Sequence, residues 1–444
     1  MALGRKDRSK QLSMWIPYKE IARSPGHPFY KKLNQVLREN DFDTWVENLC
    51  APYFREGGRP SIPPGVYFRM LMIGYFEGLG SERAIAWRCQ DSLSLREFLG
   101  YEVTQDTPDH STLSVWRHRL DEEVFQEVFD WVLGLVNAHG LVDGKTLGVD
   151  STTLEANAAM KSIVRKDTEE GYDAYIGRLA REAGEPHATR EDRVRFDRKR
   201  KDKKVSNREW ESTTDPDARI AKMKNGTTRM AYKAENAVDL KSTVVVAGRI
   251  TPADRGDTKT IRGTLDAAKE NLKSVSENKR PLRVVADKGY HDTDLICELN
   301  GKQKITTYFP ERNPEQWRTW NGDKEACRAF HANRARCRGS YGKALGRKRA
   351  NLVERAFAHL LETGGLRRIH VRGFLNVQKR YLLHVVAYNL GVLMRALLGF
   401  GTPRSLQERR LLALLFLYWL AIFSCCVQNG PQDDTNDTNE WIEG

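Results

Sequence analysis

Two short, largely apolar segments each run into an aspartate: Lys145-Thr-Leu-Gly-Val-Asp150 and Pro281-Leu-Arg-Val-Val-Ala-Asp287. Runs of this length without helical spacing read as strands, and the near-continuous apolarity of the second suits a sheet covered on both faces. Each aspartate is followed by small or polar residues, Ser151-Thr152-Thr153 and Lys288-Gly289-Tyr290, so each strand is expected to end on its acid. Residues 230–239 and 243–250 read as two further strands across a short polar turn, and 305–309 as another. Helices are expected over 258–272 and from about 349 to 362. Strands and helices around a mixed sheet make an α/β domain.

The first ~140 residues have a different character. Pro63-Pro64 opens a run, 66–76, that is apolar nearly all round, as a buried helix would be. Ser81 precedes a second helical stretch, and Thr107-Pro108 has the form of an N-cap with proline at the first helical position. The helix it would start carries Arg117, His118 and Arg119, side chains able to contact DNA. A helix-turn-helix-like reader and a plain helical bundle both fit this region.

Charge narrows the partners. The 444 residues hold 72 Lys+Arg against 59 Asp+Glu, a net +13, which favours a polyanion such as nucleic acid. The surplus is concentrated: 193–204 is crowded with basic residues, among them Arg198, Lys199 and Arg200. Residues 312–349 hold eleven Lys/Arg against three Asp/Glu, including Arg336, Arg338, Arg347, Lys348 and Arg349. These stretches read as insertions, about 155–228 and 312–348, facing solvent or DNA. The second leads straight into the helix carrying Glu354, which favours phosphate contact. A hydrophobic content of 40% excludes a disordered chain, and seven cysteines without a repeated spacing fit a reduced compartment. Cys327, His331 and Cys337 share one stretch, but no CxxC pair accompanies them, so a zinc site is not expected. Residues 1–10 lack the apolar core of a secretory signal.

Cleaving a phosphodiester needs an activated attacking oxygen and a stabilised leaving oxygen. Two hard divalent ions about 3.5–4 Å apart supply both, held by carboxylates on rigid backbone. Asp150 and Asp287 suit that task, although each alone also fits a turn cap. In the later helix Leu352, Val353, Ala356, Phe357, Leu360 and Leu361 cover one arc, and Glu354 falls just beyond its edge. Arg355, Ala358, His359 and Glu362 take the outer face. Glu354 by itself also fits a boundary salt bridge.

The segments Asp150-Ser-Thr-Thr-Leu-Glu-Ala-Asn157, Val285-Ala-Asp-Lys-Gly-Tyr-His291 and Leu352-Val-Glu-Arg-Ala-Phe-Ala-His359 resemble the three catalytic blocks of bacterial insertion-sequence DDE transposases. Arg59-Pro-Ser-Ile62, Pro108-Asp-His-Ser-Thr112 with Arg117-His-Arg119, and Gly364-Gly-Leu-Arg-Arg368 running to Asn389-Leu390 extend the resemblance over roughly 55–398. It implies an RNase H-like catalytic core with two Mg2+ ions (Mn2+ able to replace them), Asp150 bridging both, and Asp287 and Glu354 each completing one site. It also implies terminal inverted repeats and target DNA as substrates, a homodimer on DNA, and a bacterial cytoplasmic, nucleoid-associated protein. Many relatives carry arginine four residues before the glutamate and lysine seven after it. Here those places hold Ala350 and Leu361, and Arg347, Arg349 and Arg367 are the nearby basic residues expected to substitute.

The expected layout is a helical DNA-binding region over 1–142, a catalytic domain over 143–398, and a tail over 399–444. The apolar run 411–427 is short for a membrane span and is expected to pack on protein. Two rival readings remain. One is a DNA-binding protein that has lost cutting. The other is a tyrosine recombinase using Arg368, His370, Arg372 and Tyr381 or Tyr388, though the His-x-Arg spacing is unsuited to it.

Overall fold

The computed structural model describes residues 26–406, apart from 56, 58–59, 185–188, 202–205, 314, 316–318 and 321. Residues 1–10, Arg59 and the apolar run 411–427 lie outside the described residues.

The N-terminal region is helical throughout: α1 (Pro28–Glu39), α2 (Phe42–Cys50), α3 (Pro64–Phe76), α4 (Glu82–Asp91), α5 (Leu93–Leu99), α6 (His110–Arg119) and α7 (Glu122–Ala138). Every residue of α3 from Gly65 onward is buried, as its all-round apolarity predicts. Arg69 is the polar member of that run, and its guanidinium is neutralised by Asp43 of α2. Ser81 caps α4 by accepting the Ala84 N–H. The expected cap of α6 moves, however. Asp109, not Thr107, takes that place by accepting the Ser111 N–H at 2.9 Å, because a carboxylate is the stronger acceptor and Pro108 precedes the helix instead of opening it.

The rest of the chain runs β1 (Thr146–Glu155), β2 (Ile163–Arg165), α8 (Tyr172–Glu182), α9 (Arg190–Lys199), α10 (Ser206–Glu209), β3 (Trp210–Ser212), β4 (Arg219–Lys222), β5 (Thr228–Asp239), β6 (Val245–Pro252), α11 (Asp257–Val275), β7 (Arg283–Val285), α12 (Thr293–Gly301), β8 (Thr306–Tyr308), α13 (Lys324–Arg338), α14 (Ser340–Ala358) and α15 (Phe374–Leu398). The main sheet has the order β6-β5-β1-β7-β8, with β4 paired to the start of β5. β1, β5 and β6 are antiparallel, whereas β7 and β8 run parallel to β1. This mixed sheet, helices on both faces, is the RNase H-like arrangement.

Two expectations about the charged stretches need correcting. Within 155–228, β4 joins the main sheet, and β2 pairs with β3 beside α8 and α9. There the Arg165 guanidinium sits 4.3 Å from the Tyr175 ring centre and 5.8 Å from that of Trp210, so cation–π contacts help hold the unit together. In the second stretch, 312–348, the residues from 324 onward are helical. They form α13 and the start of α14, which begins at Ser340 instead of near 349. From α13 the buried Asn333 donates to the Phe309 carbonyl at 2.8 Å and accepts the Phe309 N–H at 3.2 Å, sealing the chain just past outer strand β8.

The opposite edge is sealed in the same way. From α15, Gln378 accepts the Ile250 N–H at 2.6 Å, and Asn389 accepts the Val245 N–H at 2.9 Å while donating to the Val245 carbonyl. The other side of α15 meets the N-terminal helices. Lys379 donates to the Leu120 carbonyl at 2.7 Å, and Arg380 to the Leu79 carbonyl at 3.0 Å. Being covered by both regions, α15 is buried along most of its length. It is long and apolar enough to cross a bilayer, yet 72% of its most apolar window is inside the fold.

Candidate active site

β1 does not stop at Asp150. It continues five residues further because β5 pairs with it all the way from Leu147↔Asp239 to Glu155↔Ala231. On its other side β7 pairs only with residues 146–148. Asp150 therefore has a strand on one flank and the mouth of the β1–β7 crevice on the other. The parallel register Gly148↔Val285, carried two residues on, sets Asp150 beside Asp287, which lies just past β7. Adjacent strands are about 4.8 Å apart, so the two carboxylates share one opening.

Local hydrogen bonds orient both acids. Asp150 Oδ1 accepts the Ser151 N–H at 2.8 Å. Asp287 Oδ1 accepts the Gly289 N–H at 2.8 Å and caps the 3-10 turn Lys288–Tyr290. A Cβ on Gly289 would lie 2.9 Å from that Oδ1 and 2.7 Å from Oδ2 of Asp257, so a larger residue there would push a carboxylate aside. Burial pushes the Asp150 carboxyl upward and the Asp287 charge adds to this, opposed by the Arg349 guanidinium and the Ser151 N–H.

Arg349 is the cation of the site. It reaches from α14, is 8% exposed, and donates through Nε to the Val149 carbonyl at 3.3 Å. Its Nη2 lies 3.0 Å from Asp150 Oδ2, an ion pair without hydrogen-bond alignment. Glu354, one residue past the Val353 that packs against Gly148, is exposed and stands roughly 140° round the helix from Arg349. The structure thus brings Asp150 and Asp287 together and leaves Glu354 outside the pair. Among the described residues no three His, Cys, Asp or Glu side chains are close enough together to hold a metal ion. Hard oxygen donors from two part-buried carboxylates nevertheless suit a hard divalent cation.

The basic residues singled out in the sequence fall into two groups. Arg117 is paired with Glu82, Arg200 lies 3.3 Å from Asp197, Arg336 donates to the Thr307 carbonyl, and Arg349 is committed to Asp150. His118, Arg119, Arg198, Lys199, Arg338, Arg347, Lys348, Arg367 and Arg368 are exposed. Arg119 stacks on Phe54, 4.7 Å from its ring centre, and Arg367 pairs with Glu362, which therefore meets more than water. The tyrosines of the recombinase reading are internal: Tyr381 donates to Asn236 and Tyr388 to the Thr243 carbonyl. Neither hydroxyl is free to attack DNA. A cleft of about 890 Å³, lined by Tyr53, Phe54, Trp116 and Arg119 among others, lies in the N-terminal region away from the acids.

Sequence reasoning missed the network behind the acids, on the opposite face of the sheet. Buried Glu235 accepts from Thr264 at 2.5 Å, Thr260 at 2.7 Å and Tyr290 at 2.9 Å. Buried Lys233 lies 2.5 Å from Asp257 Oδ1, which also accepts the Ser151 hydroxyl at 3.0 Å. The signal was present: Lys233 and Glu235 are charges two apart in one strand, so they point to one face and need partners there.

A family model described as Transposase DDE domain matches residues 139–390, and one described as Transposase domain (DUF772) matches residues 18–119. No curated protein and no solved structure matches the chain.

Proposed function

We propose, from the premise that the chain belongs to the transposase DDE domain family and is a metal-dependent enzyme that cuts and joins DNA, that it acts at the terminal inverted repeats of an insertion sequence. Asp150, Asp287 and Glu354 are its carboxylates. The observation carrying this reading is the shared opening of Asp150 and Asp287 on adjacent strands. Glu354 enters on its motif and on the seating of α14 directly over β1.

Asp150 and Asp287 would hold the ions, with Glu354 completing the second site. Two Mg2+ ions supply an activated water or 3′ hydroxyl and a stabilised leaving oxygen when bound. The chain's own part is to fix the carboxylates on rigid strands and to hold the DNA backbone. Exposed Arg347 and Lys348, on the same helix as Glu354, and Arg338 just before it suit phosphate contact; Arg119, Arg198, Lys199, Arg367 and Arg368 offer further positive charge, and His118 a further hydrogen-bonding group. The active form is a homodimer carrying two element ends, in the bacterial cytoplasm at the nucleoid.

Asp150→Asn and Asp287→Asn test the assignment on DNA carrying the element end, supplied with Mg2+. Strand cleavage should fall by several orders of magnitude while end binding persists. Undiminished cleavage by either variant would refute it.

A further inference from the structure

The two aspartates reach a common opening from separate elements, so something must set one against the other. β7 pairs with β1 over three residues and stops before either acid. Past that point Asp287 sits in a loop, and the hydrogen bond from Gly289 N–H to its carboxylate is internal to that loop. The ties from this loop to β1 and β5 lie on the far face of the sheet.

Asp257, the first residue of α11, is part-buried on that face. Its Oδ1 accepts from Ser151, the neighbour of Asp150 on β1, and pairs with Lys233 of β5, which is 5% exposed. Its Oδ2 lies against Gly289, two residues beyond Asp287. One residue further on, the wholly buried Tyr290 donates to Glu235, the cross-strand partner of Ser151. Lys233 also donates to the Arg255 carbonyl at 3.1 Å, fixing the turn from which α11 starts.

We propose that Asp257 is a positioning residue for the metal site: it fixes the strand carrying Asp150 against the loop carrying Asp287, with Lys233 as its counter-ion. It touches neither the DNA nor the ions. It determines whether the two carboxylates are spaced to hold an ion before one arrives, and so its loss acts on metal affinity more than on the chemical step. This rests on Asp150 and Asp287 being the metal ligands.

The test uses the full chain and Mn2+ binding followed by electron paramagnetic resonance, alongside the Mg2+ concentration giving half-maximal cleavage. Asp257→Ala should weaken Mn2+ binding at least tenfold and raise the half-maximal Mg2+ in parallel, with cleavage at saturating Mg2+ restored to within a few-fold. Asp257→Asn, which keeps an acceptor for Ser151 but leaves Lys233 without its counter-ion, should fall between the parent protein and Asp257→Ala in metal affinity. Ser151→Ala cuts the same tether from the other end and should weaken Mn2+ binding in the same direction, which keeps the test open if Asp257→Ala does not fold. Unchanged Mn2+ affinity in both Asp257→Ala and Ser151→Ala overturns the inference, as does lost cleavage that no Mg2+ concentration restores. If Asp150→Asn and Asp287→Asn also bind Mn2+ normally, it is the underlying ligand assignment that has failed.

Discussion

Arg349 fills the place beside Asp150 where a cation is needed, so replacing it with methionine should have opposite effects with and without metal. Without metal, Arg349→Met leaves a carboxylate beside Asp287 with its main neutralising partner gone. Breaking a fully buried pair costs about 3–5 kcal/mol. The Asp150 side chain is 20% exposed and can take up water, so a loss of about 2 kcal/mol is expected. For a chain of this size that is a fall of roughly 2 °C in Tm. With metal, the competing guanidinium is absent, and the same 2 kcal/mol becomes about 30-fold tighter binding of the ion. Calorimetric titration with Mn2+ reads the affinity, and melting curves with and without the ion read the stability. Saturation to about 100 times Kd should return about 2.7 kcal/mol, enough to cover the loss. Unchanged or weaker Mn2+ binding by Arg349→Met would refute the idea that the guanidinium stands in the ion's place.

Three other predictions concern separate parts of the molecule. Glu354→Gln should reduce cleavage by orders of magnitude with end binding intact, and Glu362→Gln, which loses only an exposed pair with Arg367, should stay within a few-fold; the reverse pattern in a nicking assay would move the third acid elsewhere. Burial pushes Asp130 up to about 6, so the fold favours its protonated form, and stability should decline as pH rises from about 4 to about 6. Asp130→Asn should remove on the order of 1–2 kcal/mol of that decline in denaturant titrations, and an unaltered pH profile would show the group to be hydrated. Binding to element ends should weaken steeply with salt, and Lys348→Ala should lower the slope of log K against log salt by about one if it meets a phosphate, whereas an unchanged slope removes it from the interface.

The strands that carry chemistry were legible because their patterns are local. Val284-Val285-Ala286 is apolar without a break, as a strand covered on both faces should be, and all three residues are buried. What was not legible depends on partners remote in sequence. β1 continues past Asp150 because β5 lies alongside it, and nothing in Ser151-Thr152-Thr153 announces that pairing. Charge was misleading for the same reason. Arg336 and Arg349 read as solvent-facing members of a basic run, yet one serves a carbonyl of β8 and the other a carboxylate of β1. Composition reports that a guanidinium is present, not which acceptor the fold turns toward it. Asp257 went unnoticed because its partners come from 151, 233 and 289, a combination only the closed sheet assembles.

The position of α15 has a consequence for how the molecule comes into being. Gln378 and Asn389 close the β6 edge, while Lys379 and Arg380 close the helical region, and all four leave the ribosome after every element they serve. Until then the nascent chain carries an uncovered strand edge and an open apolar face on α3 and α7, the kind of surface that draws chaperones or neighbouring chains. The helical region and the sheet therefore cannot mature one after the other as independent units. Both are completed in a single late step, when α15 docks between them.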